Sequence, residues 1–283
     1  MSDNMRGAFF MIFAMGLFAL EDMALKAAAR DIPIGQAVAL FGALGLVVFA
    51  LTARAQGERV LHPDLLSKVL IIRSVFEIGG RLFFALAIAL TPISSASAIL
   101  QATPLVVALG AVFVFGERVG WRRWLAISAG FIGVLMILRP GLEAFDPLSI
   151  FAVLGLLGFA GRDLATRASP VSMTAAQLGV AGFAVLTAAG LVLIGFGGVK
   201  PMTLASCGYV GLATVVGVVA YTALTRAMRV GEVSVVTPFR YSRLLFALVI
   251  GVSFFGERPD MMTLLGSAVI VSSGLFLLQR SRK

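Results

Sequence analysis

The sequence VVALGAVFVFGER occupies positions 106–118, and its last four residues return in FALVIGVSFFGER at positions 246–258. Each copy is an apolar run that ends in Phe-Gly-Glu-Arg, and the copies lie in the first and the second half of the chain. Self-similarity at a fixed spacing indicates a duplicated structural unit. We therefore expect two related halves, each containing an apolar helix that ends at a glycine–glutamate corner.

Further identities recur at nearly the same spacing along the chain. The residues of each pair are separated by the distance between Arg118 and Arg258, or by one residue more. The pairs are Ala87 and Ala227, Ser94 and Ser234, Phe18 and Phe159, Asp22 and Asp163, and Gln36 and Gln177. A shift of one position in the spacing is what a change of loop length produces. The predicted domains are a first five-helix repeat over residues 1–141 and a second over residues 142–283.

The composition excludes a water-soluble protein. The chain has 283 residues, of which 59% are hydrophobic and 13% charged, whereas soluble domains average about 45–50% apolar and about 25% charged residues. Its single cysteine excludes an intramolecular disulfide, and its single histidine argues against a His/Cys zinc site. The sequence predicts a polytopic membrane protein without a metal or a cofactor.

Ten apolar runs have about the length that a bilayer requires of a transmembrane helix. The predicted spans are Met5–Leu25, Ile34–Ala53, Val69–Ala89, Ser95–Phe115, Trp124–Leu138, Leu148–Ala165, Ala175–Phe196, Leu204–Ala227, Val233–Phe255 and Met261–Gln279. The predicted fold class is all-α integral membrane, with ten transmembrane helices as two five-helix repeats. Because five is odd, the second repeat enters the membrane from the opposite side, so the repeats are inverted.

Basic residues predict the orientation. With both termini in the cytoplasm, the inner segments hold 13 Lys and Arg residues and the outer segments hold 5. Cytoplasmic loops are normally enriched in Lys and Arg, so we expect both termini on the cytoplasmic side of the cell inner membrane. Inverted repeats allow a midplane site to open to one side and then to the other, which favours a transporter.

The ten spans, the duplicated halves and the Ala…Ser…Phe-Gly-Glu-Arg pattern that ends spans four and nine resemble the drug/metabolite transporter superfamily, and its EamA-type branch most closely. The resemblance covers essentially the whole chain. It implies alternating access, a central cavity and small organic solutes. Members of the superfamily carry amino acids, vitamins such as riboflavin, nucleoside-type metabolites and drugs, so the resemblance does not name the cargo.

Ionisable residues inside the spans are candidates for the substrate site, because each costs about 2.5–3.5 kcal/mol at the centre of a membrane helix. Arg73, Glu77 and Arg81 share one face of span three at i, i+4 and i+8. Acid–base neighbours at this spacing can pair. The alternative is an ion ladder that only stabilises the helix bundle.

Spans nine and four carry a second group of candidates. Arg240 and Arg243 lie close to the middle of span nine, shortly after Pro238. Span four has Gln101 and Pro104 at a similar depth. Bent or broken helices near the midplane are typical of substrate sites, although a proline can also produce a simple packing kink. Tyr221 and Tyr241 are expected to line the cavity or to be buried and hydrogen-bonded.

Charged residues near the span ends are assigned to a gate or mouth: Glu21, Asp22, Arg162 and Asp163. We expect Asp22 to pair with Lys26 and Asp163 with Arg167, since each pair has the i, i+4 spacing of a local salt bridge. The two Phe-Gly-Glu-Arg corners are interpreted as structural. Their glutamates are expected to accept hydrogen bonds from the first turn of the next helix.

The deep charges predict the cargo. Counting Arg73, Arg81, Arg240 and Arg243 against Glu77 gives an expected excess of three positive charges. Guanidinium groups suit carboxylates, phosphates and carbonyl-rich edges. We expect an organic anion or a planar polar metabolite, such as a flavin, a nucleobase-like compound or an amino-acid derivative. The predicted substrate-binding residues are Arg73, Glu77, Arg81, Gln101, Tyr221, Arg240, Tyr241 and Arg243.

The function predicted from these observations is secondary active or facilitative transport of a small metabolite. A multidrug or metabolite exporter is the first alternative, and an intramembrane enzyme or a structural membrane protein would fit less well. No Walker-type phosphate loop and no embedded catalytic arrangement is present in the sequence. No enzyme activity and no catalytic residue is therefore expected. The predicted partners are a small-molecule substrate and the bilayer, without nucleic acid, and a homodimer is left open.

Overall fold

The computed structural model describes residues 3–115, 121–138, 146–167, 173–230 and 237–280. Within these ranges the chain forms helices and turns but no strand. The helices are α1 Asp3–Ala28, α2 Ile34–Ala55, α3 Lys68–Leu90, α4 Ile93–Leu100, α5 Thr103–Phe115, α6 Trp121–Leu138, α7 Ile150–Arg167, α8 Ala175–Gly197, α9 Leu204–Val230, α10 Ser242–Phe255 and α11 Met261–Arg280. Short 3₁₀ helices cover Pro63–Leu66, Pro147–Ser149 and Thr237–Tyr241.

The helices match the composition of a multi-pass membrane protein. In the described ranges, five helices are long and apolar enough to cross a membrane: Met5–Ala28, Ile34–Ala55, Pro147–Ala165, Ala175–Gly197 and Leu204–Ala227. Large apolar side chains such as Val47, Val75, Leu191 and Val215 are exposed on the outer helix faces. Exposed apolar surface on this scale suits contact with lipid. The prediction of an all-helical membrane protein is confirmed, and the count of ten spans stays a prediction.

Two predicted spans are not continuous α-helices. Span four is divided into α4 and α5 by a turn at Gln101 and Ala102. The sequence supplies a reason, because Pro104 has no amide hydrogen to bond to the preceding turn. In span nine a 3₁₀ helix over Thr237–Tyr241 precedes α10, and the predicted start of this span at residues 233–236 lies outside the described residues.

Helices pack mainly across the two halves of the sequence. The largest contacts join α1 to α9, α2 to α8, α3 to α7, and α6 to α11. Gly80 of α3 lies directly against the backbone of Gly158 and Phe159 in α7, where a Cβ atom on Gly80 would be 2.9–3.1 Å from Phe159 and Gly158 atoms. The neighbouring Gly79 has open space beside it, so the close contact between α3 and α7 is made at Gly80.

A pair of glutamines ties each half to a loop of the other. Gln36 at the start of α2 bonds the backbone of Lys200 twice, through Nε2 to the carbonyl and through Oε1 from the amide, both at 2.9 Å. Gln177 at the start of α8 donates to the carbonyl of Arg59 at 2.9 Å. The spacing from Gln36 to Gln177 is the same as the spacing from Arg59 to Lys200. The two clamps are therefore equivalent in the repeat.

The Phe-Gly-Glu-Arg corner that follows α10 differs from the expectation. Gly256 has a left-handed backbone with φ +66°, which permits the sharp exit from the helix. Glu257, however, caps α4 of the other half: Oε1 accepts from the amide of Ile93 at 2.7 Å, and Oε2 accepts from the hydroxyl of Ser94 at 2.7 Å. The next helix, α11, is capped by Asp260 instead. Residues 116–118 of the first corner lie outside the described residues.

Candidate substrate site

A cavity lies between the two halves, where α1, α3, α7, α9 and the start of α10 meet the break between α4 and α5. The residues that line it are Met15, Phe18, Arg81, Phe84, Leu100, Gln101, Thr103, Phe159, Arg162, Asp163, Tyr221, Leu224, Arg240, Tyr241 and Arg243. The cavity has a volume of about 100 Å³, and one ordered water needs roughly 10–15 Å³ of such a volume. Several water molecules can therefore occupy it.

The charged face of α3 is only partly the ladder that the sequence predicted. Arg73 Nη2 lies 3.0 Å from Glu77 Oε2, so this i, i+4 pair is confirmed. Arg81 does not continue the ladder, because its Nη1 atom lies 3.7 Å from Oε1 of Glu21 on α1. Glu77 instead has Arg162 of α7 at 3.7 Å from its Oε1 atom. The ion pairs of α3 thus connect it to both α1 and α7.

Asp163 joins two arginines at the wall of the cavity. Its Oδ1 atom accepts from Arg162 Nη2 at 2.7 Å and from Arg162 Nε at 3.0 Å. Its Oδ2 atom lies 3.5 Å from Arg240 Nη1. Glu77, Arg162, Asp163 and Arg240 therefore form a continuous chain of ion pairs. The expected partner of Asp163, the side chain of Arg167, lies outside the described residues.

Asp22 does not form the local salt bridge that its spacing predicted. Its Oδ2 atom accepts from Arg243 Nη2 at 2.5 Å, although the two residues belong to opposite halves of the chain. Lys26 points the other way along α1 and lies 3.7 Å from Glu257. The reason is tertiary: α10 packs beside α1 and brings Arg243 closer to Asp22 than the next turn of its own helix does.

Arg81, Arg162 and Arg243 also lie over aromatic rings that sequence reasoning missed. Arg81 and Arg162 lie 5.6 and 5.0 Å from the ring centroid of Phe159. Arg243 lies 5.4 Å from the ring of Phe18 and 5.6 Å from that of Phe84. Contacts of this kind stabilise a cation over an aromatic face. The repeat could have pointed to two of these rings, since it pairs Phe18 with Phe159.

The polar uncharged residues have different roles in the geometry. Tyr221 lines the cavity while its hydroxyl donates to the carbonyl of Leu178 at 3.0 Å. Gln101 donates to the carbonyl of Arg240 at 3.0 Å and so holds the start of α10 against the end of α4. The hydroxyl of Tyr241 is buried and has no hydrogen-bond partner among the described residues.

The expected excess of three positive charges is wrong. Glu21 and Asp22 are buried, at 2% and 4% exposure, and Asp163 lies in the cavity wall. Within the described residues, the buried network contains the arginines at 73, 81, 162, 240 and 243 and the acids at 21, 22, 77 and 163, which leaves one positive charge. The acids mostly lie behind the guanidinium groups: the charged residues lining the cavity are Arg81, Arg162, Arg240, Arg243 and Asp163.

The described residues contain no cluster of three or more His, Cys, Asp or Glu side chains that could hold a metal ion. A guanidinium-lined cavity that is large enough for water, at the junction of two halves, is the arrangement of a site that binds a polar solute in a membrane protein. The class of protein that the fold and the cavity define is a multi-pass membrane transporter.

Comparison with known proteins gives the family. The EamA-like transporter family matches residues 5–139 and again residues 148–279, so the chain belongs to this family, within the drug/metabolite transporter superfamily. A solved crystal structure shares the fold, with a TM-score of 0.60 at 19% identity, over 94% of this chain and 97% of that one.

Several curated relatives are metabolite transporters. The chain is 26% identical over 221 residues to the S-adenosylmethionine uptake transporter of Rickettsia felis, covering 75% of this chain and 72% of that protein. It is 26% identical over 280 residues to the pseudopaline exporter CntI of Pseudomonas aeruginosa, covering 98% and 97%. It is 32% identical over 199 residues to the riboflavin transporter of Rhizobium johnstonii, covering 69% and 65%. The chain is a small-metabolite transporter, and these relatives point to a protein that is not an enzyme.

Proposed function

We propose that this protein carries a small organic metabolite with a carboxylate or carbonyl-rich group, by alternating access of two inverted five-helix halves, residues 1–141 and 142–283. The observation that carries the proposal is the set of four guanidinium groups in the cavity wall, contributed by both halves. Their carboxylate partners orient them, and a planar guanidinium group with its several N–H donors suits a carboxylate or a carbonyl-rich edge.

The inverted arrangement is supported by the reciprocity of the packing. Helices α1 and α9 pack together and so do α3 and α7, and exchanging the two halves converts one pair into the other. The clamps of Gln36 on Lys200 and of Gln177 on Arg59 exchange in the same way. An approximate two-fold axis in the membrane plane would produce this pattern.

The two halves supply different groups to the substrate site. Arg81, Arg162, Arg240 and Arg243 are the proposed direct donors, with Gln101 and the hydroxyl of Tyr241 beside them. Arg73 and Glu77 position these donors from behind, and Tyr221 supplies an aromatic face of the cavity wall. Glu21 and Asp22 hold Arg81 and Arg243 in place, and Asp163 is the acid that a positively charged part of the cargo would meet. The assignment of Glu21, Asp22, Arg162 and Asp163 to a gate or mouth remains part of the proposal.

Flux into proteoliposomes tests the proposed activity directly. The panel is S-adenosylmethionine, riboflavin, pseudopaline, nucleobases and amino acids, with polyamines as the cationic control. Uptake of at least one carboxylate- or carbonyl-bearing compound, inhibited by its unlabelled form, is the expected result. Preference for polyamines, or flux no faster than in empty liposomes for every compound, would contradict the proposal.

Orientation is tested separately by reporter fusions. We propose that both termini lie in the cytoplasm and that the protein resides in the cell inner membrane, since Lys and Arg favour that side. Fusions at Lys283 and within residues 54–68 should report cytoplasm, and fusions at Glu143 and Lys200 should report the outer side. An outer signal at Lys283 would mean an odd number of spans and would contradict the inverted halves.

Export is the second candidate direction. It is favoured by the match to the pseudopaline exporter, which extends over 98% of this chain. Loading proteoliposomes with substrate and measuring efflux, against uptake at the same gradient, separates the two directions. A homodimer would be detected by the mass of the purified protein in lipid nanodiscs.

A further inference from the structure

An ion-pair cluster lies well away from the cavity, at the far ends of three of its helices. Glu257, just after α10, accepts from the amide and hydroxyl of Ser94 at 3.1 and 2.7 Å and from the amide of Ile93 at 2.7 Å. Lys26 of α1 lies 3.7 Å from Glu257 Oε1. The side chains of Glu257 and Lys26 are only 10% and 15% exposed, so these contacts are shielded from water.

Lys26 extends the cluster to the end of α3. Its Nζ atom donates to the carbonyl of Ile88 at 3.1 Å and to that of Thr91 at 2.5 Å. It also lies 5.2 Å from the ring centroid of Phe255. A carboxylate from the second half and an ammonium group from the first half therefore hold together the ends of α1, α3, α4 and α10.

The cluster and the cavity lie at opposite ends of the same helices. Helix α10 carries Arg243 at its cavity end and leads to Glu257, roughly 20 Å further along its axis. Helix α4 runs from the capped residue Ser94 to Gln101 in the cavity wall. Along α1, the cavity residue Phe18 comes two turns before Lys26. Opening the cavity toward this end requires α1, α4 and α10 to separate.

We propose that Glu257 is a gating residue: the Glu257–Lys26–Ser94 cluster latches the cavity shut at this end, and its release is a step of transport. The inference rests on the proposed alternating access. A carboxylate suits this role because its contacts are charge-assisted and stronger than neutral hydrogen bonds. Once Glu257 and Lys26 separate, each can bind backbone groups or water instead. The latch joins the two halves, and α4 has no side-chain cap of its own at Pro92.

Cysteine accessibility tests the latch without any need for a known substrate. The native Cys207 is exposed and is first replaced by serine. Ser97→Cys then reports on this end, since Ser97 is 1% exposed and lies one turn beyond Ser94. Leu224→Cys reports on the cavity wall contributed by α9. The rate of modification by a charged thiol reagent is measured on the full chain in lipid nanodiscs.

Glu257→Gln should raise the rate at Ser97→Cys about tenfold, as expected when a charged hydrogen-bond partner is lost, and should lower the rate at Leu224→Cys. Lys26→Met should change both rates in the same directions. Asp31→Asn is the matched control, because Asp31 is an exposed acid in the loop after α1 and its side chain accepts from the hydroxyl of Thr203 at 2.7 Å. It should leave both rates unchanged.

Three results would overturn the proposal. Unchanged rates at Ser97→Cys in both latch variants would mean that the cluster does not control access. Equal increases in the modification rate at both reporter cysteines would indicate that the whole protein is less tightly packed, and not that the cavity has opened at one end and closed at the other. Loss of the folded protein in both variants would make the corner a purely structural support. Because the readout is accessibility, none of these results bears on whether the protein transports a metabolite.

Discussion

Helices α3 and α9 occupy equivalent places in the two repeats but carry different chemistry. At the spacing of the two Phe-Gly-Glu-Arg corners, Arg73, Glu77 and Arg81 of α3 correspond to Ala213, Gly217 and Tyr221 of α9. The supporting contacts do not differ in this way, since Gln36 and Gln177 make equivalent clamps. Duplication thus kept the scaffold similar in both halves, while the charges of the site are unequal.

The difference between α3 and α9 has a steric counterpart. A Cβ atom on Gly217 would lie 2.9 Å from Oε2 of Glu21 and 2.7 Å from the ring of Phe41. The first half has the acid Glu77 at this position. The second half has Gly217 there, which leaves room for the acid Glu21 of α1. The network is completed by side chains that cross between the halves, and neither half contains it alone.

The largest effect is expected from the arginines that only the second half supplies. Arg240→Gln and Arg243→Gln should each reduce uptake about 100-fold, since each removes a cavity donor, and the second also leaves the buried Asp22 carboxylate without its 2.5 Å partner. Initial uptake rates in proteoliposomes, normalised to inserted protein, measure the loss. Arg54→Gln, at an exposed position of α2, is the control. Near-normal uptake by both variants would make these arginines structural.

Glu77→Gln removes the acid that α3 has and α9 lacks at the equivalent position. Uptake should fall about tenfold, because Arg73 and Arg162 lose the carboxylate that orients them. If Glu77 only positions these arginines, substrate exchange and accumulation driven by a pH gradient should fall together. Retained exchange with lost pH-driven accumulation would instead identify Glu77 as a proton carrier.

The adjacent glycines of α3 offer a matched test of the packing between halves. Gly80→Ala should lower the free energy of unfolding by about 1–3 kcal/mol, because its Cβ atom would press on the α7 backbone. Gly79→Ala meets nothing within 4 Å and should be neutral or slightly stabilising. Thermal unfolding in detergent compares the two. Similar midpoints for both variants would contradict the described α3–α7 contact.

The smallest effect is expected from the equivalent clamps. Gln36→Ala and Gln177→Ala should each cost about 1 kcal/mol of stability, the usual contribution of a side-chain hydrogen bond. The same unfolding measurement applies, with Thr222→Val as a control for a hydroxyl that bonds only within its own helix. A large difference between the two glutamine variants would show that the halves are less equivalent than their contacts suggest.

The sequence by itself determined the elements and their repetition. Apolar runs of membrane length and the recurring Phe-Gly-Glu-Arg corners are local features, and they predicted the helices and the two halves. The Arg73–Glu77 pair was predictable for the same reason, since the two residues are one turn apart on the same helix. Arg240, Arg243 and Gln101 were identified as candidates because polar groups rarely occur within apolar spans.

Only the tertiary structure decided which charges meet. Local spacing paired Asp22 with Lys26, but these residues bind Arg243 and Glu257, which lie in the other half of the sequence. The same spacing assigned Arg81 to Glu77, although Arg81 lies against Glu21. Long charged side chains can reach several neighbours, and the choice among them depends on which helices pack together. That packing is fixed by small residues such as Gly80 and Gly217, whose partners no local pattern reveals.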